Sequence, residues 1–125
     1  MIFVDTNVFI YAVGKPHPLR SEAQEFFINS SKAGQRLVTS AEVLQELLHV
    51  YLPVRRIETL DAALELATKG VHEIIPITQD DVTHARVLVD RYPHLTARDL
   101  LHLAVCQRNG IKQIKTFDRG LQAVF

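Results

Sequence analysis

The sequence predicts an α/β fold, a three-layer α/β/α domain with a mainly parallel central sheet, and three observations point to it. The chain opens on a continuous apolar run, Met1-Ile2-Phe3-Val4, which ends abruptly in the polar Asp5-Thr6-Asn7. Such a run suits a strand buried on both faces, as in a sheet covered by helices. Further short apolar runs at Leu37-Val38, Ile74 to Ile77 and Ile111 to Thr116 alternate with stretches of helical periodicity. Several of those stretches begin on a Thr or Ser capping signature, which fixes where each helix starts.

In chain order, the first strand is followed by a helix predicted to begin near Val8 and to reach Val13, where Gly14-Lys15-Pro16-His17-Pro18 breaks it. Leu19, Ala23, Phe26 and Phe27 recur at helical steps, giving an amphipathic helix that ends near Ala33-Gly34. After the Leu37-Val38 strand, Thr39-Ser40-Ala41-Glu42 reads as a capping box with Glu42 closing it, and the helix continues through Val43, Leu47 and Tyr51 to Pro53. Ile57, Leu60, Leu64 and Ala67 form the inner stripe of the next helix, which stops at Gly70. Pro76 puts the strand around Ile74 and Ile75 at an edge or at its own end, because proline cannot donate to a ladder. Thr78-Gln79-Asp80-Asp81 opens a helix with Val82, Ala85 and Val89 inward, and Tyr92-Pro93 closes it. Thr96-Ala97-Arg98-Asp99 opens another, Leu100 to Gln107, apolar almost all round and therefore central. Asn109-Gly110 turns the chain into the Ile111 to Thr116 strand, and Ala123-Val124-Phe125 is expected to add a last edge strand.

At this length residues 1–125 read as one domain, since the chain suffices for one buried core and not for two. Lys plus Arg (14) equals Asp plus Glu (14), so no net charge draws the chain to polyanions or anionic membranes. A nucleic-acid partner would need local attraction or bound cations. The arginines, among them Arg55, Arg56, Arg86, Arg91, Arg98, Arg108 and Arg119, are expected mostly on a solvated surface. A single cysteine, Cys106, sits in an apolar stretch and reads as a buried small hydrophobe in a reducing compartment. No apolar run approaches membrane-helix length, and a cytoplasmic protein is expected.

The chemistry lies in the acids. In open α/β sheets ligands bind beyond the carboxyl ends of the strands, where the first strand delivers Asp5 and the Ile111 to Thr116 strand delivers Asp118. Asp5 is equally suited to capping the helix that follows it. Asp99 lies in the first turn of the central helix, where the macrodipole favours an anion and the cap alone would explain it. Glu46 lies one turn beyond Glu42 and has no such local partner. Two carboxylates about 5 Å apart repel by roughly 3 kcal/mol at an effective dielectric near 20, so convergence of these acids implies a cation. Oxygen-only ligands select a hard ion, Mg²⁺ or Mn²⁺.

Asp5-Thr6-Asn7 after an apolar strand, Glu46-Leu47-Leu48, the stretch from Thr96 to Ala104 and Thr116-Phe117-Asp118 together resemble a PIN-domain ribonuclease, specifically a VapC-type toxin, along essentially the whole chain. The resemblance implies that Asp5, Glu46, Asp99 and Asp118 are the acidic catalytic set, with Asp5, Asp99 and Asp118 the main ligands of Mg²⁺ or Mn²⁺. It further implies Thr6, Asn7 and Thr116 as supporting polar groups, hydrolysis of RNA by a metal-activated water, a homodimer and silencing by a cognate antitoxin. Three rivals remain at this point: a receiver-like phosphoacceptor signalling module, a PIN-like domain kept only for binding, and a di-iron carboxylate bundle. The last is suggested by Glu46…His49 and Asp99…His102, an acid and a histidine at i, i+3 on two helices. Otherwise His49 and His102 are expected to be core or supporting histidines.

Overall fold

In the computed structural model, which describes residues 1–125, strands β1 (Ile2–Val4), β2 (Leu37–Ser40), β3 (Glu73–Ile75) and β4 (Gln113–Lys115) alternate with helices. These are α1 (Thr6–Val13), α2 (Arg20–Lys32), α3 (Ala41–Tyr51), α4 (Ile57–Gly70), α5 (Gln79–Leu88), α6 (Ala97–Arg108) and α7 (Arg119–Gln122). The four strands form one all-parallel sheet in the order β3-β2-β1-β4, flanked by helices. A sheet covered in this way must be apolar on both faces, and Phe3, Val4 and Val38 are fully buried. Each such side chain contributes roughly 1.5–3 kcal/mol relative to exposure.

This strand order determines where the site falls. From β1 the chain moves to β2 and β3 on one side, then returns through α5 and α6 to place β4 on the other side of β1. The crevice at the carboxyl ends of β1 and β4 is therefore the topological switch point, the usual location for a ligand in such sheets. Register brings Val4 opposite Lys115, so the residues just past those tips, Asp5 and Thr116, meet.

The helices obey their start signals where the capping residue has no better partner. Thr78 with Asp81 and Thr96 with Asp99 form complete capping boxes. α6 is central as expected, with Leu100 and the run from His102 to Cys106 buried. Gly110, at φ 67°, supplies the left-handed turn that returns the chain from α6 to β4. β3 lies at the sheet edge and ends immediately before Pro76, meeting both expectations for that proline.

Five local expectations are corrected. α1 begins at Thr6, not near Val8, because the Asp5 carboxylate accepts from the Thr6 amide and caps the helix. Thr39 caps nothing: its hydroxyl donates to the Val4 carbonyl at 2.8 Å across β1, and Ser40 is the N-cap of α3, accepting from the Val43 amide. Glu42 therefore closes no box. Val82 is 55% exposed, whereas Ala85 and Val89 do pack inward, partly buried, beside the buried Asp81 and Leu88. Asp81 is buried with Arg108 of α6 donating to it at 3.0 Å, so this arginine, though still exposed as expected, also ties two helices together. Ile57 is also exposed at the first turn of α4, whose inner stripe is Leu60, Ala63 and Ala67. Finally, the carboxyl end is not a strand: Asp118 caps the short α7, and Val124 and Phe125 pack back as partly buried apolar groups.

Candidate active site

Asp5, at the tip of β1, is 5% exposed and surrounded by donors. The Thr6 amide reaches Asp5 Oδ1 at 2.7 Å, and the Thr116 hydroxyl reaches Oδ2 at 2.7 Å. Thr116 is in turn an acceptor for Asn7 Nδ2 at 3.2 Å and for the Asp118 amide at 3.0 Å, while Asn7 Oδ1 accepts from the Phe117 amide at 3.2 Å. Asn7 and Thr116 thus form a hydrogen-bonded clamp joining the tips of β1 and β4, and Thr6 holds Asp5 from its other side. Backbone pairing alone would align the strands. The clamp additionally fixes the Asp5 carboxylate and the direction in which the chain leaves toward Asp118.

Glu46, one and a half turns into α3, is buried opposite Asp5. Its Oε2 accepts from the Thr6 hydroxyl, and its Oε1 lies 3.0 Å from His102 Nε2. The same nitrogen is 3.5 Å from Asp5 Oδ1, and His102 itself is 1% exposed, its ring 5.5 Å from that of Phe3. Burial is the largest influence on all three groups. It works against the charged imidazole, yet the hydrogen bond to Glu46 and the charges of Asp5 and Glu46 outweigh it, so the His102 pKa is raised. Burial also dominates at Asp5, whose pKa is raised even though His102 opposes the shift. At Glu46 the balance reverses: the hydrogen bond and charge of His102 overcome burial, and the pKa is lowered. Glu46 is therefore held ionised, with Arg98 adding to the effect.

Asp99 and Asp118 complete the cleft from α6 and from the start of α7. All four acids line one depression of about 260 Å³, together with Thr6, Asn7, Thr96 and Arg98. Asp99 Oδ2 accepts from the Thr96 amide at 3.4 Å, and Asp118 Oδ1 accepts from the Leu121 amide at 3.0 Å. Each is thus both a helix cap and a wall of the cleft, so the capping and functional readings of these positions are compatible. The tightest group of potential ligands is Asp5, Glu46 and His102, whose donor atoms lie within 4.8 Å of one another. His102, however, lies beneath the carboxylates and does not line the cleft, so an ion entering there meets oxygen alone.

Two contributors were not assigned to the site from sequence. His102 was expected only as a core or supporting histidine, and its contact with Glu46 spans 56 residues. A polar residue at a fully buried position of the otherwise apolar Leu100–Cys106 run was the available signal. Arg98, within the Thr96–Asp99 capping signature, reads from sequence as a surface arginine. It is exposed, but on the cleft wall. His49 is exposed and meets no acid, and a central parallel sheet replaces the four long helices that a di-iron bundle requires.

Residues 2–124 match the PIN domain family. Over all 125 residues the chain is 58% identical to Ribonuclease VapC23 of Mycobacterium tuberculosis (strain ATCC 25618 / H37Rv), of which the match covers 98%. It is 42% identical over 123 residues to Ribonuclease VapC13 of the same strain, covering 98% of this chain and 94% of the relative. The fold superposes with a TM-score of 0.82, at 21% identity, on the crystal structure of Mycobacterium tuberculosis VapC20, a sarcin-ricin loop cleaving toxin, over 99% of this chain and 95% of that one. The chain belongs to the PIN-domain family and, within it, to the VapC-type ribonucleases. That membership removes the receiver-like reading.

Proposed function

We propose that this protein is a Mg²⁺- or Mn²⁺-dependent endoribonuclease, the toxin of a toxin–antitoxin pair, which hydrolyses RNA phosphodiesters with water as the nucleophile. The observation that carries the reading is the convergence of Asp5, Glu46, Asp99 and Asp118, from four separate elements, on one cleft at the switch point of the sheet. An intact acidic set also disfavours a domain kept only for binding.

The donor set fits a hard divalent ion. Asp5, Asp99 and Asp118 would hold it, since all three offer carboxylate oxygens to the cleft and protein sites for such ions use few carboxylates beside water and phosphate. When bound, the cation lowers the pKa of a water toward neutrality and places positive charge beside the phosphoryl oxygens. The protein's own groups do the rest. Glu46, ionised and fixed by His102 and Thr6, is positioned to orient the attacking water and receive its proton. Arg98 on the cleft wall offers a fork to the phosphate. Thr6 and the clamp of Asn7 and Thr116 hold Asp5 so that the geometry is set before substrate arrives.

The relatives' names, and a toxin–antitoxin complex from Klebsiella pneumoniae that shares the fold (TM-score 0.71, 18% identity, covering 99% of this chain and 92% of that one), support an antitoxin partner. A homodimer and a cytoplasmic site of action belong to the same proposal. No helix of the protein is long and apolar enough to cross a membrane. Cleavage of RNA in Mg²⁺ or Mn²⁺, with and without chelator, tests the activity. Products should carry 5′-phosphate and 3′-hydroxyl ends. Cleavage that survives chelation, or products ending in 2′,3′-cyclic phosphate, would contradict water as the metal-assisted nucleophile.

A further inference from the structure

A second cleft adjoins the acidic one. It has a volume of about 410 Å³, on the scale of a small-ligand site, and shares Ile10 and Val50 with the acidic cleft, so the two are neighbours with a common wall. Its chemistry is the opposite. Among its lining residues are the cations Lys15 and Arg56 and the rings of Tyr11, His17 and Tyr51, and none is acidic.

Local structure holds these groups in place. Gly14 ends α1 where a Cβ would lie 2.8 Å from the Ile10 carbonyl oxygen, so the floor of the cleft there is bare backbone. The chain then presents exposed Lys15 and His17 on the turn into α2. The His17 ring lies 4.6 Å from that of Tyr11, and its Nδ1 accepts from the Leu19 amide at 3.1 Å, which fixes its orientation. On the facing wall Arg55 adopts a left-handed φ of 55°, uncommon for a residue with a side chain, and the exposed Arg56 that follows lies over the Tyr51 ring at 5.9 Å.

We propose that this cleft binds the single-stranded RNA next to the scissile phosphate, a base stacking on the His17 and Tyr11 rings while Lys15 and Arg56 take flanking phosphates. The proposal rests on the ribonuclease reading and names the substrate's path through that site. Cations beside accessible rings, here the exposed His17 and the half-buried Tyr11, are the composition by which proteins hold unpaired strands without reading sequence, and a base in a duplex could not reach such rings. The placement also resolves the problem of a chain with no net charge acting on a polyanion, because attraction is concentrated beside a pocket that is otherwise acidic.

The test uses a mixed-sequence single-stranded RNA, with kcat and KM measured in Mg²⁺ across a range of salt. Lys15→Ala/Arg56→Ala should raise KM about ten-fold or more, and the plot of log kcat/KM against log salt should be shallower by about 1.4, the loss of two phosphate contacts on a single strand. His17→Ala should raise KM by about five-fold or more with the salt slope unchanged, as expected for stacking. Lys32→Ala/Lys112→Ala removes equal charge elsewhere and should change KM by less than about two-fold. Circular dichroism confirms folding of every variant. If wild type cleaves RNA but the Lys15/Arg56 double variant keeps its KM and salt slope, the cleft is not on the RNA path. The cleft is likewise off that path if those variants lose only the grip of a co-expressed antitoxin. If wild type does not cleave RNA at all, it is the ribonuclease reading that fails.

Discussion

His102, only 1% exposed, places its Nε2 3.0 Å from Glu46 Oε1, so the carboxylate that faces the cleft is held from behind by an imidazole on another helix. Removing the ring leaves Glu46 and Asp5 buried beside each other with the Thr6 and Thr116 donors but without the positive charge that His102 supplies to both. His102→Leu should therefore destabilise the chelator-treated protein by about 3–5 kcal/mol, the range seen when one member of a buried charged pair is removed. His102→Gln retains a donor and should lose less. Thermal melts with and without Mn²⁺ check this: a cation in the cleft should recover part of the loss, and equal melting shifts in both conditions would separate His102 from the acidic site.

Glu42 and Glu46 lie one helical turn apart, and only Glu46 has partners, in His102 and Thr6. Glu46→Gln should lower RNA cleavage about ten- to a thousand-fold with the fold intact. Glu42→Gln should leave cleavage unchanged and alter stability by no more than a few tenths of a kcal/mol, since Ser40 and not a capping box starts this helix. A dead Glu42→Gln beside an active Glu46→Gln would move the second acid back one turn.

Asp118 is exposed and caps α7. Asparagine caps as well as aspartate, so Asp118→Asn should melt close to wild type in chelator, whereas Asp118→Ala should cost about 1 kcal/mol. The metal separates this structural role from the functional one. Added Mn²⁺ should raise the melting temperature of wild type more than that of Asp118→Asn, because a ligand stabilises only in proportion to its affinity for the folded form. Identical shifts would exclude Asp118 from the ion's shell.

Arg98 faces the cleft without an ion-pair partner among its acids, and its charge helps to keep Glu46 ionised. Arg98→Ala should reduce kcat/KM for RNA by about ten-fold or more. Arg98→Lys should recover only part of the loss, because an ammonium cannot form the bidentate fork to phosphate. Full activity in Arg98→Ala would place it among the surface arginines.

The sheet, most helix boundaries and the convergence of the four acids on one cleft are readable because each depends on local chemistry: an apolar run, a cap, a carboxylate at a strand tip. What was misread depends on a distant partner. Thr39 looks like a cap until Val4 offers it a carbonyl across the sheet. Asp81 reads only as part of a capping signature until Arg108 reaches it from α6, 27 residues later, and it is buried beside Ala85 and Leu88. His102 looks like a polar interruption of a core helix until α3 brings Glu46 against it. The capping signatures at Asp99 and Asp118 hid less than they suggested, since one carboxylate can serve the helix and the cleft together.

The clamp between Asp5 and Thr116 joins groups 111 residues apart, and Asp118 lies farther along still. A ribosome making this protein therefore produces, for most of the time of synthesis, a chain carrying Asp5 and Glu46 with neither the wall from α6 nor the clamp from β4. Assembly of the cutting site waits for the last strand to insert beside the first. For an enzyme that destroys RNA, the fold thus ties competence to its most sequence-distant contact, and a chain still lacking α6 and β4 carries two of the acids without the walls that would make them a cleft.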